Sequence, residues 1–234
     1  MLLKVKQFRY GADNLGYLIY ANESALAVDG GAPEAILSFI AGHRLSLRFV
    51  ANTHGHADHT GGNRTLLTAT AARLLSPADL TDGGAIGLDG EEVRIIQTPG
   101  HTEDSRSFYT GRALIAGDTL FNGTIGNCFS GDLEGFYLSI RKLMALPDET
   151  IVYAGHDYVK DSLAFARRLE PGNAALDAFL RRYDPGHVFS TLADERKINP
   201  YLRFNEPGIV ALLESLDLPR ETEWERWRSL MSIE

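Results

Sequence analysis

Apolar and polar positions fall into two halves of different rhythm. From Lys4 to Asp29, short β-like pieces (VKQFRY, LGYLIYA, ALAVD) are separated by Gly, Asn and Asp turn residues, which predicts a strand meander. A helix is predicted from Pro33 to about Ala41, with Pro in the first turn, Ala35, Ile36, Phe39 and Ile40 at helical spacing, and Gly42 as the stop. Leu47 to Thr53, Glu92 to Thr98, Arg112 to Gly117 and Thr150 to Gly155 then read as four strands, each running into a turn that bears His or Asp. Helical periodicity covers Asn63 to Leu75 and Leu133 to Leu146, so strands alternate with helices and sheets should pack between helices.

Val159 to Leu169 is an amphipathic helix through Leu163, Ala166 and Leu169, halted at Glu170 to Asn173 (EPGN). Beyond this point the strand signal disappears. Helices are expected over Ala174 to Tyr183, Ile209 to Leu216 and Glu221 to Met231. The break near Pro171 divides the chain into an α/β unit, 1–170, and a small helical unit, 171–234.

Composition narrows the class without naming a chemistry. The 234 residues carry 44% hydrophobic side chains, which excludes a disordered chain and is enough for a large core. With 23 basic against 31 acidic residues the net charge is -8, so no general cationic surface is available for a phosphate backbone. No apolar run approaches the ~18 residues of a membrane span. Cys128, the one cysteine, cannot form an internal disulfide, and MLLKVKQFRY has no leader-like pattern, so a cytoplasmic protein is expected.

The chemistry lies in the histidines. Thr53 to His59 reads THGHADH, and in an extended segment His54 and His56 face the same way, with Asp58 and His59 opening the next element. His101 in TPGHT, Asp118 in GDTLF and His156 in AGHDY stand at equivalent points after strands. Five imidazoles and two carboxylates suit zinc, iron or manganese and suffice for two divalent ions bridged by Asp118. Two such ions ~3.5–4 Å apart make hydroxide available near neutral pH and polarise a carbonyl, the simplest basis of a hydrolase. A one-iron redox site using fewer of these ligands is the alternative reading.

These blocks resemble the metallo-β-lactamase superfamily and, more narrowly, the hydroxyacylglutathione hydrolases of glyoxalase II type. DNLGYLIY (Asp13 to Tyr20), THGHADH, TPGHT and GDTLF mark the superfamily. The stretch from Val152 to Asn173 and STLADERKINPYLR (Ser190 to Arg203) are more specific to the hydrolases. The resemblance implies a four-layer αββα sandwich followed by a small helical substrate-binding domain. It also implies ligands: His54, His56 and His101 for one metal, Asp58, His59 and His156 for the second, and Asp118 for both. Asp58 and Asp118 carry catalytic roles in this assignment. The implied reaction is attack of a bridging hydroxide on a thioester carbonyl, releasing a thiol and a hydroxy acid; the partner is a small-molecule thioester, not nucleic acid or membrane.

The thiol half departs from the family pattern. Where the family usually places a basic residue and a tyrosine, GNCFSG supplies Asn127 and Phe129, and Glu206 stands where another cation is typical. Tyr158 and Arg203 match the remaining glutathione contacts. The neighbouring persulfide dioxygenases share HxHxDH and a similar ERxxNP stretch but hold one iron with two histidines and an aspartate, so they are the second reading. A tRNA 3′-end nuclease is disfavoured by the charge, a secreted β-lactamase by the leaderless start, and a purely structural metal by the size of the core. His43 and His187 are read as helix-end and turn residues, Trp224 and Trp227 as packing, Cys128 as a bystander, and Gly61 and Gly62 as allowing close backbone passage.

Overall fold

The computed structural model describes residues 3–233. A five-stranded sheet is laid down first: β1 (Lys4–Tyr10), β2 (Asn14–Tyr20) and β3 (Ser24–Val28) form the expected antiparallel meander. Helix α1 (Pro33–His43) then carries the chain over so that β4 (Ser46–Ala51) pairs parallel to β3. After α2 (Ala57–Thr60) and α3 (Asn63–Ala69), the short β5 (Arg73–Leu74) adds to the edge, also parallel.

The second sheet has six strands in the order β11-β10-β9-β8-β7-β6. Its members are β6 (Ala85–Leu88), β7 (Glu91–Gln97), β8 (Arg106–Tyr109), β9 (Ala113–Gly117), β10 (Ile151–Ala154) and β11 (Ser190–Thr191). Helix α4 (Leu133–Met144) makes the crossover between the parallel strands β9 and β10. The chain ends in α5 (Val159–Leu169), α6 (Ala174–Arg182), α7 (Leu192–Ile198), α8 (Pro207–Ser215) and α9 (Glu223–Leu230).

The period of two along the strands sorts side chains into layers. Leu15, Tyr17 and Ile19 of β2, Leu26 and Val28 of β3, and Ala113 and Ile115 of β9 fill the space between the sheets. Their alternates Leu18, Ala25 and Ala27 pack outward under Ile36 and Ile40 of α1 and Leu66 of α3. On the far side Leu114, Ala116 and Val152 meet Phe136, Ile140 and Leu143 of α4 and Trp227 and Leu230 of α9. This is the expected αββα sandwich, with three buried apolar layers between its four structural layers.

Three sequence expectations need correction. The helix from Asn63 stops at Ala69, not Leu75: Thr70 turns extended, its hydroxyl donates to the Leu66 carbonyl at 2.7 Å, and Arg73–Leu74 become sheet edge. Gly42 does not stop α1, which runs to His43 and is closed by Arg44 in the left-handed region at φ 56°. Strand structure also continues past Pro171, because Ser190 and Thr191 pair with Val152 and Ile151; two residues are too few to show a period. The region after Pro171 joins both neighbouring cores, with Leu176, Phe179, Val188 and Ile198 in the inter-sheet layer.

Candidate metal centre

All seven expected ligands converge at one end of the sandwich, in the turns that follow β4, β7, β9 and β10. The extended backbone of His56 (φ -63°, ψ 146°) places His54 and His56 side by side before α2 lifts Asp58 and His59 to the rim. His54 Nε2 lies 2.9 Å from His56 Nδ1, and His101 Nε2 lies 3.2 Å from the same atom. The second group closes just as tightly. His59 Nε2 is 3.2 Å from His156 Nε2 and 3.6 Å from Asp58 Oδ2, and His156 Nε2 is 3.4 Å from Asp58 Oδ2. Asp118 stands between the groups, with Oδ2 3.6 Å from His101 Nε2 and 3.4 Å from His156 Nε2, and Oδ1 3.4 Å from His59 Nε2.

The donor set fits divalent metal ions. Tetrahedral ligands ~2.0–2.1 Å from zinc stand about 3.3 Å from one another, the range these separations scatter around. Asp118 Oδ1 is buried and has no hydrogen-bond partner among the described residues, the state of a lone pair directed at an ion. Room for that oxygen depends on Gly155, where a Cβ would come within 2.0 Å of it.

Hydrogen bonds on the far side of each ring fix which nitrogen faces the centre. His59 Nδ1 donates to Asp29 Oδ2 at 3.1 Å, His156 Nδ1 to Asp13 Oδ1 at 2.9 Å, and His101 Nδ1 to the Asn127 carbonyl at 3.0 Å. Thr53 Oγ1 donates to Asp29 Oδ2 at 2.7 Å and receives His54 Nδ1–H at 3.0 Å, so Asp29 orients two rings, one directly and one through Thr53. Asn14 Nδ2 holds Asp58 Oδ2 at 2.9 Å. Asp13, Asn14, Asp29 and Thr53 were not expected as site residues. The available signal is weak: DNLGYLIY marks the superfamily only as a block, and Asp29 ends a strand as many turn residues do.

The electrostatics favour bound cations. Burial, and then His59 nearby, lowers His54 to about 4, which keeps it a neutral donor; burial likewise lowers His101. Burial opposes the ionised form of Asp118, yet the His156 and His59 rings close beside it outweigh burial and hold the carboxyl far below the usual range. Burial also opposes charge on His59, but Asp29 and Asp118 win and raise it to about 10. The carboxylates thus stabilise positive charge at His59 and His156, while burial disfavours it at His54 and His101.

Next to the second group lies a cleft of about 270 Å³, lined by Phe121, Asn127, Tyr158, Asp161 and Phe165 among others. Tyr158 stacks on His156 with ring centroids 5.0 Å apart. Phe129, 65% exposed, stands edge-on over His101 at 5.1 Å and His56 at 6.0 Å. The structure thus brings Asn127, Phe129 and Tyr158 to the centre. Arg203 is not brought there: it makes two 2.8 Å bonds to Glu170, donates to the Arg196 carbonyl at 3.0 Å, and borders a separate cleft with Pro171 and Gly208.

The remaining singled-out residues are structural. His43 stacks on Phe39, His187 leans on Tyr153, Trp227 is fully buried against Trp224, and a Cβ at Gly62 would strike the Gly30 carbonyl at 1.9 Å. Half-buried Cys128 packs against the outer core.

The comparisons agree with the geometry. A model of the metallo-β-lactamase superfamily matches residues 13–81 and 71–156, and a model of the hydroxyacylglutathione hydrolase C-terminus matches residues 157–230. The hydroxyacylglutathione hydrolase of Anaeromyxobacter dehalogenans is 38% identical over 221 aligned residues, covering 87% of either chain. That of Polaromonas sp. is 38% identical over 237, covering 90% of this chain and 89% of its own. The crystal structure of ETHE1 from Myxococcus xanthus superposes with a TM-score of 0.68 at 26% identity, covering 94% of this chain and 93% of that one.

Fold and donor set together define a metal-dependent hydrolase built on the metallo-β-lactamase sandwich. Within that superfamily the chain belongs to the hydroxyacylglutathione hydrolase family. No helix among the described residues is long and apolar enough to cross a membrane.

Proposed function

We propose that this chain hydrolyses thioesters of glutathione and a hydroxy acid at a centre for two divalent ions, zinc, iron or manganese. His54, His56 and His101 would hold one ion, Asp58, His59 and His156 the other, with Asp118 shared. When bound, the pair supplies Lewis acidity toward a carbonyl oxygen and lowers the pKa of water. The protein's own part is orientation. Asp13, Asp29 and the Asn127 carbonyl keep the protons of His156, His59 and His101 on the outward nitrogens, and Tyr158 and Asn127 border the cleft in which a thiol half can lie. A thiolate is a good leaving group, so no proton donor is needed at the sulfur.

The observation that carries this reading is the completeness of the second donor group. His59 and His156 are both buried with Nε2 turned to Asp58, so a second ion would find three donors in place, and the match of residues 157–230 to the hydroxyacylglutathione hydrolase C-terminus favours the hydrolase over the dioxygenases that share HxHxDH. The test is anaerobic thiol release from lactoylglutathione by metal-loaded protein together with metal analysis. Two equivalents of metal with oxygen-independent release support the hydrolase. One equivalent of iron with oxygen uptake on glutathione persulfide supports the dioxygenase.

A further inference from the structure

The cleft beside the metal centre presents a charge problem. Its lining contains no Lys or Arg, and its one ionisable acid, Asp161, repels a carboxylate. The thiol half of the proposed substrate carries two carboxylates and one ammonium. Position 127 supplies an amide, Glu206 is itself acidic, and Arg203 is committed to Glu170. Charge recognition must come from another residue.

Helix α5 forms one wall of this cleft. Tyr158 precedes it, and Asp161, Ser162 and Phe165 all face the cavity at helical spacing. Arg168 continues the stripe as i+3 from Phe165, with its guanidinium carbon 5.2 Å from the Phe165 ring centroid. The side chain is exposed and makes no ion pair among the described residues, and the cation–π contact seats it on Phe165, which itself lines the cleft. Ser162 adds an independent sign of a ligand: it is 4% exposed, lines the cleft, and its hydroxyl has no hydrogen-bond partner.

We infer that Arg168 is the specificity-determining cation of this cleft and binds a carboxylate of the substrate's peptide-thiol half. The dimensions agree. From Tyr158 to Arg168 the helix rises ~15 Å at 1.5 Å per residue, less the backward reach of the arginine side chain, which tilts toward the N-terminus. The sulfur of such a three-residue thiol is on the middle residue, so in an extended chain a terminal carboxylate stands ~7 Å from it, about two residue lengths. A thioester sulfur near His156 therefore leaves a terminal carboxylate within reach of the guanidinium over Phe165, whose forked donors match it in two bonds.

This inference rests on the glutathione reading above and is tested by binding, apart from turnover. Dissociation constants of S-methylglutathione and its two monoamides are measured by calorimetry on metal-loaded wild type, Arg168→Gln and Arg168→Lys. In wild type one monoamide should bind about tenfold more weakly than the acid. Arg168→Gln should abolish that ratio, and Arg168→Lys should retain part of it. Structural damage alone would weaken all three ligands and keep the ratio. Survival of the ratio in Arg168→Gln, equal binding of all three ligands to wild type, or no binding to wild type would each overturn the role of Arg168. Failure of the hydrolase reading would appear separately, as loaded wild type that binds S-methylglutathione but releases no thiol from lactoylglutathione.

Discussion

Asp29 receives the Nδ1 proton of His59 across 3.1 Å, with both side chains completely buried. The same carboxylate accepts the amide of Thr53 at 2.8 Å and its hydroxyl at 2.7 Å, so one side chain fixes the loop and aims two imidazoles. Its own backbone adopts φ 52°, an unusual conformation that aspartate tolerates better than most residues. Asp29→Asn keeps the shape but removes the charge. It should weaken metal binding by about 10- to 100-fold, as loss of such an outer hydrogen bond generally does. Competition with a chelator of known affinity measures this, and an unaltered affinity would leave Asp29 a purely structural residue.

His156→Ala and Asp118→Ala should behave differently. His156 belongs to one donor group, so its loss should leave a single ion per chain with hydrolysis abolished. Asp118 reaches histidines of both groups, so Asp118→Ala should impair both sites. Metal content of the purified variants distinguishes the cases, and normal stoichiometry with full activity in either would remove that residue from the centre.

Arg203 and Glu170 form a two-bond pair whose side chains are only 16% and 10% exposed. Removing the arginine strands a mostly buried carboxylate. Arg203→Ala should lower stability by about 2–3 kcal/mol, the scale of a lost charged hydrogen bond. Adding Glu170→Gln should recover much of that loss. Urea midpoints of the two single variants and the double variant test the coupling, which would be absent if the pair were solvated.

Glu195 gives a pH dependence of definite sign. Fully buried, it accepts the Gly123 amide at 3.0 Å and Asn199 Nδ2 at 2.8 Å, yet burial dominates and raises it to about 7 from 4.5. Between these values the folded state binds more protons than the unfolded chain, so this group's contribution to stability falls as pH rises from about 4.5 to 7 and is level on either side. The pH slope of the unfolding free energy should flatten in Glu195→Gln, measured on metal-loaded protein. An identical slope would show that Glu195 does not titrate there.

The candidate donor set was legible because its information is local. THGHADH places four donors in one turn, and His101, Asp118 and His156 each follow an apolar run that reads as a strand without knowledge of its partners. That sheets pack between helices was legible in the order of apolar runs and helical periods, and the resemblance implied the four-layer form; which side chain of the uniformly buried β3 and β9 faces which layer was not legible, because both faces are covered. Where the sequence reading misplaced an element, it lacked a period. Arg73–Leu74 and Ser190–Thr191 are two residues long and are strands only because a neighbouring edge offers unpaired backbone groups.

Only the folded chain decided how the candidate donors are held and where the basic side chains lie. Asp13 meets His156 across 143 residues, and Glu170 claims Arg203 across 33, so a resemblance at Arg203 could not show that its guanidinium was already occupied. Motifs determine which chemistry is present, because ligand type and local spacing are covalent properties of the chain. Orientation, proton placement and the free or paired state of a charge depend on distances set by packing, and those exist only once the two sheets have closed on their common core.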